Sequence, residues 1–215
     1  MESYLDRYIY AGGVMMVFLI PTSLLALGWI FRGFIQLRRA RVMPRKLTQA
    51  TAAIHTTEEA LRFEEAMETH PSSLGRLAAH LLKLNVVGAD RKSDEEENEV
   101  LRPALNDEID RLLQETAGLT TVYAVAPLMG LLGTVIGMIG TFQEFTTNPE
   151  HSIADLSFGI NEALVTTMWG LVIAIPAFIF VQIFRRCIFR YEKELLPRAA
   201  KDLARQVWEK KRNEE

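Results

Sequence analysis

Thr134, Thr167 and Glu162 are out of keeping with the residues around them, because each interrupts a stretch that is otherwise apolar. A hydroxyl in such a setting bonds its own backbone, bonds a neighbour, or faces something wet. An acidic residue in mid-span costs roughly 3 kcal/mol on insertion scales and is by default a functional feature. Side chains of these types can carry an ion or a proton along a path, but they make no nucleophile or covalent centre. Two readings of Glu162 are open. It lies about one turn into its apolar stretch, so its carboxylate either belongs to such a path or reaches back to the outer interface of a membrane.

The elements that must hold these groups are apolar and rich in small residues. Gly130, Gly133, Gly137 and Gly140 recur at steps of three and four along Ala126 to Gly140, which puts them on one stripe of a helix with Thr134 and Thr141 beside it. In hydrocarbon, helices associate where small residues let their backbones approach closely. A second stripe of Ala163, Thr167, Gly170, Ala174 and Ala177 matches the first. Pro127 and Pro176 each interrupt a helix ladder and leave a carbonyl free, at Tyr123 and Val172, so both are candidate kinks. Thr134 lies about eight residues before the outer end of its stretch and Thr167 about eight after the outer start of its own. At 1.5 Å per residue both hydroxyls sit roughly 12 Å deep.

The 215 residues are 49% hydrophobic with a formal net charge of -3, which by itself excludes little. The distribution is more informative. Three blocks, 12–31, 121–142 and 159–184, hold most of the apolar residues, and each supplies the roughly 20 needed to cross a hydrocarbon core. Buried helices of a water-soluble protein would show a polar face. The predicted fold is therefore all-α, an integral membrane protein with three transmembrane helices.

Lys and Arg concentrate after the first block (Arg32, Arg38, Arg39, Arg41, Arg45, Lys46) and after the third (Arg185, Arg186, Arg190, Lys193), while 143–157 has none. The positive-inside rule then puts the N-terminus outside and the C-terminus inside. Residues 1–11 become an external segment, 32–120 a cytoplasmic helical domain, 143–158 an external loop and 185–215 a cytoplasmic C-terminal helix. The first block has an acidic lead (Glu2, Asp6) and no small-residue cleavage site after it, so it reads as a retained anchor.

Within the cytoplasmic region, Thr56 to Glu59 is a capping box whose helix stops near His70, before Pro71. Ser72 or Ser73 caps another helix, running to about Val87, and Ser93 to Glu96 offers a further capping box. From there Leu101, Leu105, Ile109, Leu112, Thr116 and Leu119 share one face of a helix predicted to run unbroken into the second span. Ile188, Tyr191, Leu195, Ala199, Leu203 and Val207 give a similar stripe after the third. The second and third spans thus extend into the cytoplasm as long stalk helices, packed antiparallel.

Cys187 is the lone cysteine, and the four histidines show no ligand spacing, so no metal or cofactor is expected. There is no phosphate loop, no G-x-S-x-G, no catalytic carboxylate pair and no basic-aromatic patch. The chain reads as neither an enzyme nor a nucleic-acid binder.

Two motifs in order, Ala126-Pro127-x-x-Gly130-Leu131-x-Gly133-Thr134-Val135-x-Gly137 and Gly159-Ile160-x-Glu162-Ala163-Leu164-x-x-Thr167-x-x-Gly170-Leu171-x-x-Ala174-Ile175-Pro176, resemble the proton-channel family of ExbB, TolQ and MotA. The layout looks like ExbB and TolQ, since MotA has a further span. The resemblance implies a bacterial inner-membrane subunit that forms a homopentamer around an ExbD- or TolR-type single-span partner dimer, with a periplasmic loop at 143–158. The proton motive force would then drive work at the envelope, with a TonB- or TolA-type protein as a further partner and membrane lipids around the ring. It matches Thr134 and Thr167 to threonines lining the ion path and Glu162 to the glutamate of the third span. Thr166, Met168 and Trp169 depart from it, standing where the family usually has small or aliphatic residues. A passive scaffold or receptor adaptor, binding a signalling partner through its cytoplasmic helices, is the alternative function. Such a scaffold has no use for polar groups at matched depth on glycine-rich faces.

Overall fold

A computed structural model describes residues 13–44, 62, 65–67, 72–83, 94–147 and 152–202. Among these residues the regular elements are all helical. They are α1 (Met16–Gln36), the single-turn α2 (Arg39–Val42), α3 (Ser73–Lys83), α4 (Asp94–Thr147) and α5 (Ile153–Arg190), which passes into a π-helical turn, Tyr191–Leu195, and on to Asp202. Three of the helices, α1, α4 and α5 with its extension, are long and apolar enough to cross a membrane. The all-α, three-span expectation stands. The capping boxes at Thr56 and Ser93, the helix stop at His70, residues 1–11, and Leu203 and Val207 lie outside the described residues.

The chain divides into two compact units, with boundaries between Phe31 and Arg32, Glu115 and Thr116, and Ile183 and Phe184. In the first, the Thr116–Thr147 part of α4 runs antiparallel to the Ile153–Ile183 part of α5, as the successive contacts Gly130 to Thr166, Gly137 to Ala163 and Thr141 to Gly159 require. Ala126 and Ala163 are buried in this seam and Ala174 and Ala177 are buried further along α5, while Leu128, Leu131, Ile136, Leu164, Leu171 and Ile175 face outward. Small residues inside and large apolar ones outside invert the arrangement of a water-soluble protein. Lipid tails solvate leucine as well as a protein core does, so what remains to hold two helices together is close backbone contact. Trp29 of α1 lies against Gly118 of α4, and Tyr123 meets Phe178 edge to face at 5.5 Å. α4 runs unbroken through Pro127, and α5 through Pro176.

Helix extends further toward the 147–153 connection than expected. Residues 143–147 continue α4, and α5 begins at Ile153, so most of the segment read as a loop is helical. Ser152 starts α5 with a reciprocal cap. Its Oγ accepts from the Asp155 N–H at 3.3 Å, and Asp155 Oδ2 accepts from the Ser152 N–H at 2.9 Å.

In the second unit, Ser72 caps α3 by accepting the Gly75 N–H at 3.1 Å, as its sequence position predicts. Leu74, Leu77 and Ala78 are buried, and α2 lies against this helix. Leu101, Leu105, Ile109 and Leu112 of α4 are buried, in keeping with their spacing. Glu108 is buried among them at 5% exposure. Arg76 donates from Nε and Nη2 to its two carboxylate oxygens, each at 2.6 Å. Those bonds hold the Arg76 guanidinium above its ordinary pKa.

Beyond the third span the predicted stripe slips by one residue. Ile188 and Tyr191 are buried, but the next buried positions are Leu196 and Ala200, with Leu195 and Ala199 only half-buried. The π-turn is the cause, because its Leu196 N–H reaches back five residues to the Tyr191 carbonyl and so adds one residue to the turn. Pro197 explains why the turn sits there: a proline ring clashes with the carbonyl four residues earlier, and a wider turn relieves that clash. Tyr191 donates its hydroxyl to the Leu37 carbonyl at 2.9 Å, and Phe184 packs on Phe34 edge to face.

Candidate polar seam between the second and third spans

The seam is narrow because glycine lines it on both sides. A Cβ at Gly130 would meet the Thr166 carbonyl at 2.9 Å and the Thr167 Cα at 3.0 Å, and one at Gly170 would meet the Ala126 carbonyl at 2.7 Å. Gly137 abuts Ala163 in the same way. Gly140, expected in this row, has open space around its Cβ position. At about 100° per residue it lies roughly 80° round the helix from Gly130, at the rim of the seam. Thr141 takes its place there, packed against Gly159 and donating to its own Gly137 carbonyl at 2.8 Å.

Beside Gly130, the hydroxyls of Thr134 and Thr167 lie 3.1 Å apart. The Thr134 hydroxyl also reaches the Leu131 carbonyl at 2.7 Å, and the Thr167 hydroxyl reaches the Gly130 carbonyl at 3.0 Å. A threonine hydroxyl has one proton, so two protons serve three contacts. Two continuous chains result. In one, Thr134 donates to Thr167 and Thr167 to Gly130; in the other, Thr167 donates to Thr134 and Thr134 to Leu131. The chains have opposite polarity, and rotation of the two hydroxyls interconverts them. Both side chains are half-buried.

Glu162 does not join this pair. Its carboxylate packs against Gly13, which leads into α1 with a left-handed φ of 55°. A residue with a Cβ would meet the carboxylate there and would be strained as well.

Thr166, a departure from the second motif, lies in the same seam, against Gly130 and Gly133. It is 3% exposed, donates to the Ala163 carbonyl at 2.6 Å, and lies 3.2 Å from the Gly130 carbonyl. The signal was legible in the sequence: it sits three residues after Ala163 and four before Gly170, inside the small-residue stripe.

A sequence model described as the MotA/TolQ/ExbB proton channel family matches residues 70–196. A putative biopolymer transport protein, ExbB-like 3, from Synechocystis sp. is 29% identical over 187 residues, covering 84% of each chain. The same organism's ExbB-like 1 is 30% identical over 188 residues, 83% of this chain and 69% of that protein. The Tol-Pal system protein TolQ of Pseudomonas aeruginosa is 38% identical over a shorter stretch of 79 residues, 37% of this chain and 34% of that one.

Proposed function

Because the chain belongs to the MotA/TolQ/ExbB proton channel family and is a multi-pass membrane protein, we propose that it is a ring-forming subunit of an inner-membrane motor driven by the proton motive force. An ExbD- or TolR-type single-span dimer stands inside the ring. The motor energises transport or other work at the envelope, in line with the biopolymer-transport and Tol-Pal names of its relatives. The observation that carries this reading is the Thr134–Thr167 hydroxyl pair, 3.1 Å apart in a seam lined by glycine and alanine.

Protons move along chains of groups that can both donate and accept, and each hydroxyl of the pair has that capacity. Helix packing accounts for the glycines but has no need of two hydroxyls meeting at one level. The outward leucines and isoleucines of α4 and α5 suit lipid and neighbouring copies. The lysine and arginine distribution supports an external N-terminus and a cytoplasmic C-terminus. In this reading Thr134 and Thr167 line the ion path, and Glu162 acts near its outer mouth.

The test is reconstitution. The chain, co-expressed with a single-span partner of the ExbD or TolR type, is placed in proteoliposomes and proton entry is followed with an internal pH dye under an imposed potential. Flux is expected from the complex, and little from complexes carrying Thr134→Val or Thr167→Val. A correctly assembled complex that passes no ions would favour the scaffold reading.

A further inference from the structure

The Gly130 carbonyl is shared. Within α4 it accepts the regular helix bond from the residue four positions on, which leaves one lone-pair direction toward α5. Two hydroxyls of α5 are in range of it, Thr167 at 3.0 Å and Thr166 at 3.2 Å. One lone pair cannot take two full donors. Thr166 has a second acceptor, the Ala163 carbonyl at 2.6 Å, and Thr167 has a second acceptor in Thr134 at 3.1 Å.

The two rotors are therefore linked. When Thr166 donates to Ala163, Gly130 is free for Thr167 and the chain runs Thr134 to Thr167 to Gly130. When Thr166 turns to Gly130, Thr167 turns to Thr134 and the chain runs the other way, ending on Leu131. Water does not compete for the Thr166 proton, because that side chain is 3% exposed. Nor can it swing away. It fills the space Gly133 leaves, where a Cβ would come within 2.5 Å of its Oγ1 and 2.8 Å of its Cβ, with Met15 of the segment entering α1 closing the same notch.

We propose that Thr166 is a positioning residue, whose hydroxyl, held in the Gly133 notch, sets which way the Thr167 hydroxyl points and so the polarity of the Thr167–Thr134 chain. The proposal rests on reading that pair as part of the ion path. Without the Thr166 hydroxyl, Thr167 settles on Gly130 and the reversed chain is disfavoured.

The experiment compares ion flux through the reconstituted complex for Thr166→Val, Thr166→Ser and Thr167→Val, with assembly and thermal unfolding measured on each. Thr166→Val, similar in shape but without the donor, is expected to lower flux about five-fold, the factor that corresponds to one net hydrogen bond. Thr166→Ser, which keeps the donor and loses the methyl, is expected to retain flux. A role in packing alone gives the reverse order, with serine worse than valine, and overturns the proposal. So does an assembled Thr166→Val with full flux while Thr167→Val is inactive. If Thr167→Val keeps full flux, the ion-path reading fails first. Should valine not assemble, Thr166→Ala removes the hydroxyl with less demand for space, and the same order against serine decides.

Discussion

Arg76 and Glu108 meet through two parallel hydrogen bonds of 2.6 Å, and the carboxylate side of that pair is almost wholly removed from water. Arg111, at 3.4 Å, adds a weaker contact from an exposed position. Planar two-point recognition of this kind suits arginine and not lysine. Removing the guanidinium leaves a buried charge without its main partner. Arg76→Ala is therefore expected to destabilise the second unit by about 3 kcal/mol, and Arg76→Lys to recover little of it. Thermal unfolding in detergent checks this, and an unchanged midpoint for Arg76→Ala would count against a structural role.

The glycines divide into those whose space is taken and those whose space is open. Gly130→Ala and Gly170→Ala set a methyl group against opposing backbone, so both are expected to push α4 and α5 apart. Gly28 and Gly140 meet nothing within 4 Å. Alanine there should be neutral or stabilise the helix by up to about 1 kcal/mol. Unfolding midpoints for the four single variants test the division, and equal effects at Gly130 and Gly140 would contradict it.

Gly13→Ala meets two obstacles at once, a positive φ and the Glu162 carboxylate. A loss of about 1–2 kcal/mol is expected from the backbone alone. Pairing Gly13→Ala with Glu162→Ala should recover the steric part and leave the backbone part. A double variant no better than Gly13→Ala would show that the carboxylate contact adds nothing.

The π-turn makes a prediction at single-residue resolution. In a variant lacking Cys187, a cysteine at Leu195 should react readily with a water-soluble maleimide and one at Leu196 slowly, because the first is half-exposed and the second 0% exposed. An uninterrupted α-helix in phase with Ile188 would reverse the order. Tyr191→Phe, which strips the Leu37 carbonyl of its buried donor, should cost about 1–2 kcal/mol.

Orientation is open to a simple labelling experiment. A cysteine at Asn148 should react with an impermeant thiol reagent on intact spheroplasts, while Cys187 should react only after the membrane is opened. The opposite pattern would overturn the argument from lysine and arginine placement.

Sequence alone determined the parts of this protein that depend on local composition and on helical rise. Three apolar stretches of spanning length specify three helices. Glycine and alanine at steps of three and four specify the faces on which α4 and α5 approach. Counting 1.5 Å per residue from the ends of each stretch matched Thr134 to Thr167, and their hydroxyls do meet.

Tertiary structure decided what depends on phase and on the identity of a neighbour. Helical spacing says that Glu108 lies near a buried arc, but Arg76 of another helix decides that the charge can be buried. Periodicity carried the last stripe through Leu195 and Ala199, yet the wider turn before Pro197 rotates everything after it by about 100° and buries Leu196 and Ala200 instead. Glu162 shares an element with Thr167, but it turns to Gly13 because the entry to α1 leaves room there for a carboxylate. Thr166 stood in the sequence as one of three departures from a motif, with Met168 and Trp169. Only the approach of Gly130 and Gly133 made its hydroxyl a neighbour of the pair, since a periodic pattern specifies a face and the opposing helix decides what that face touches.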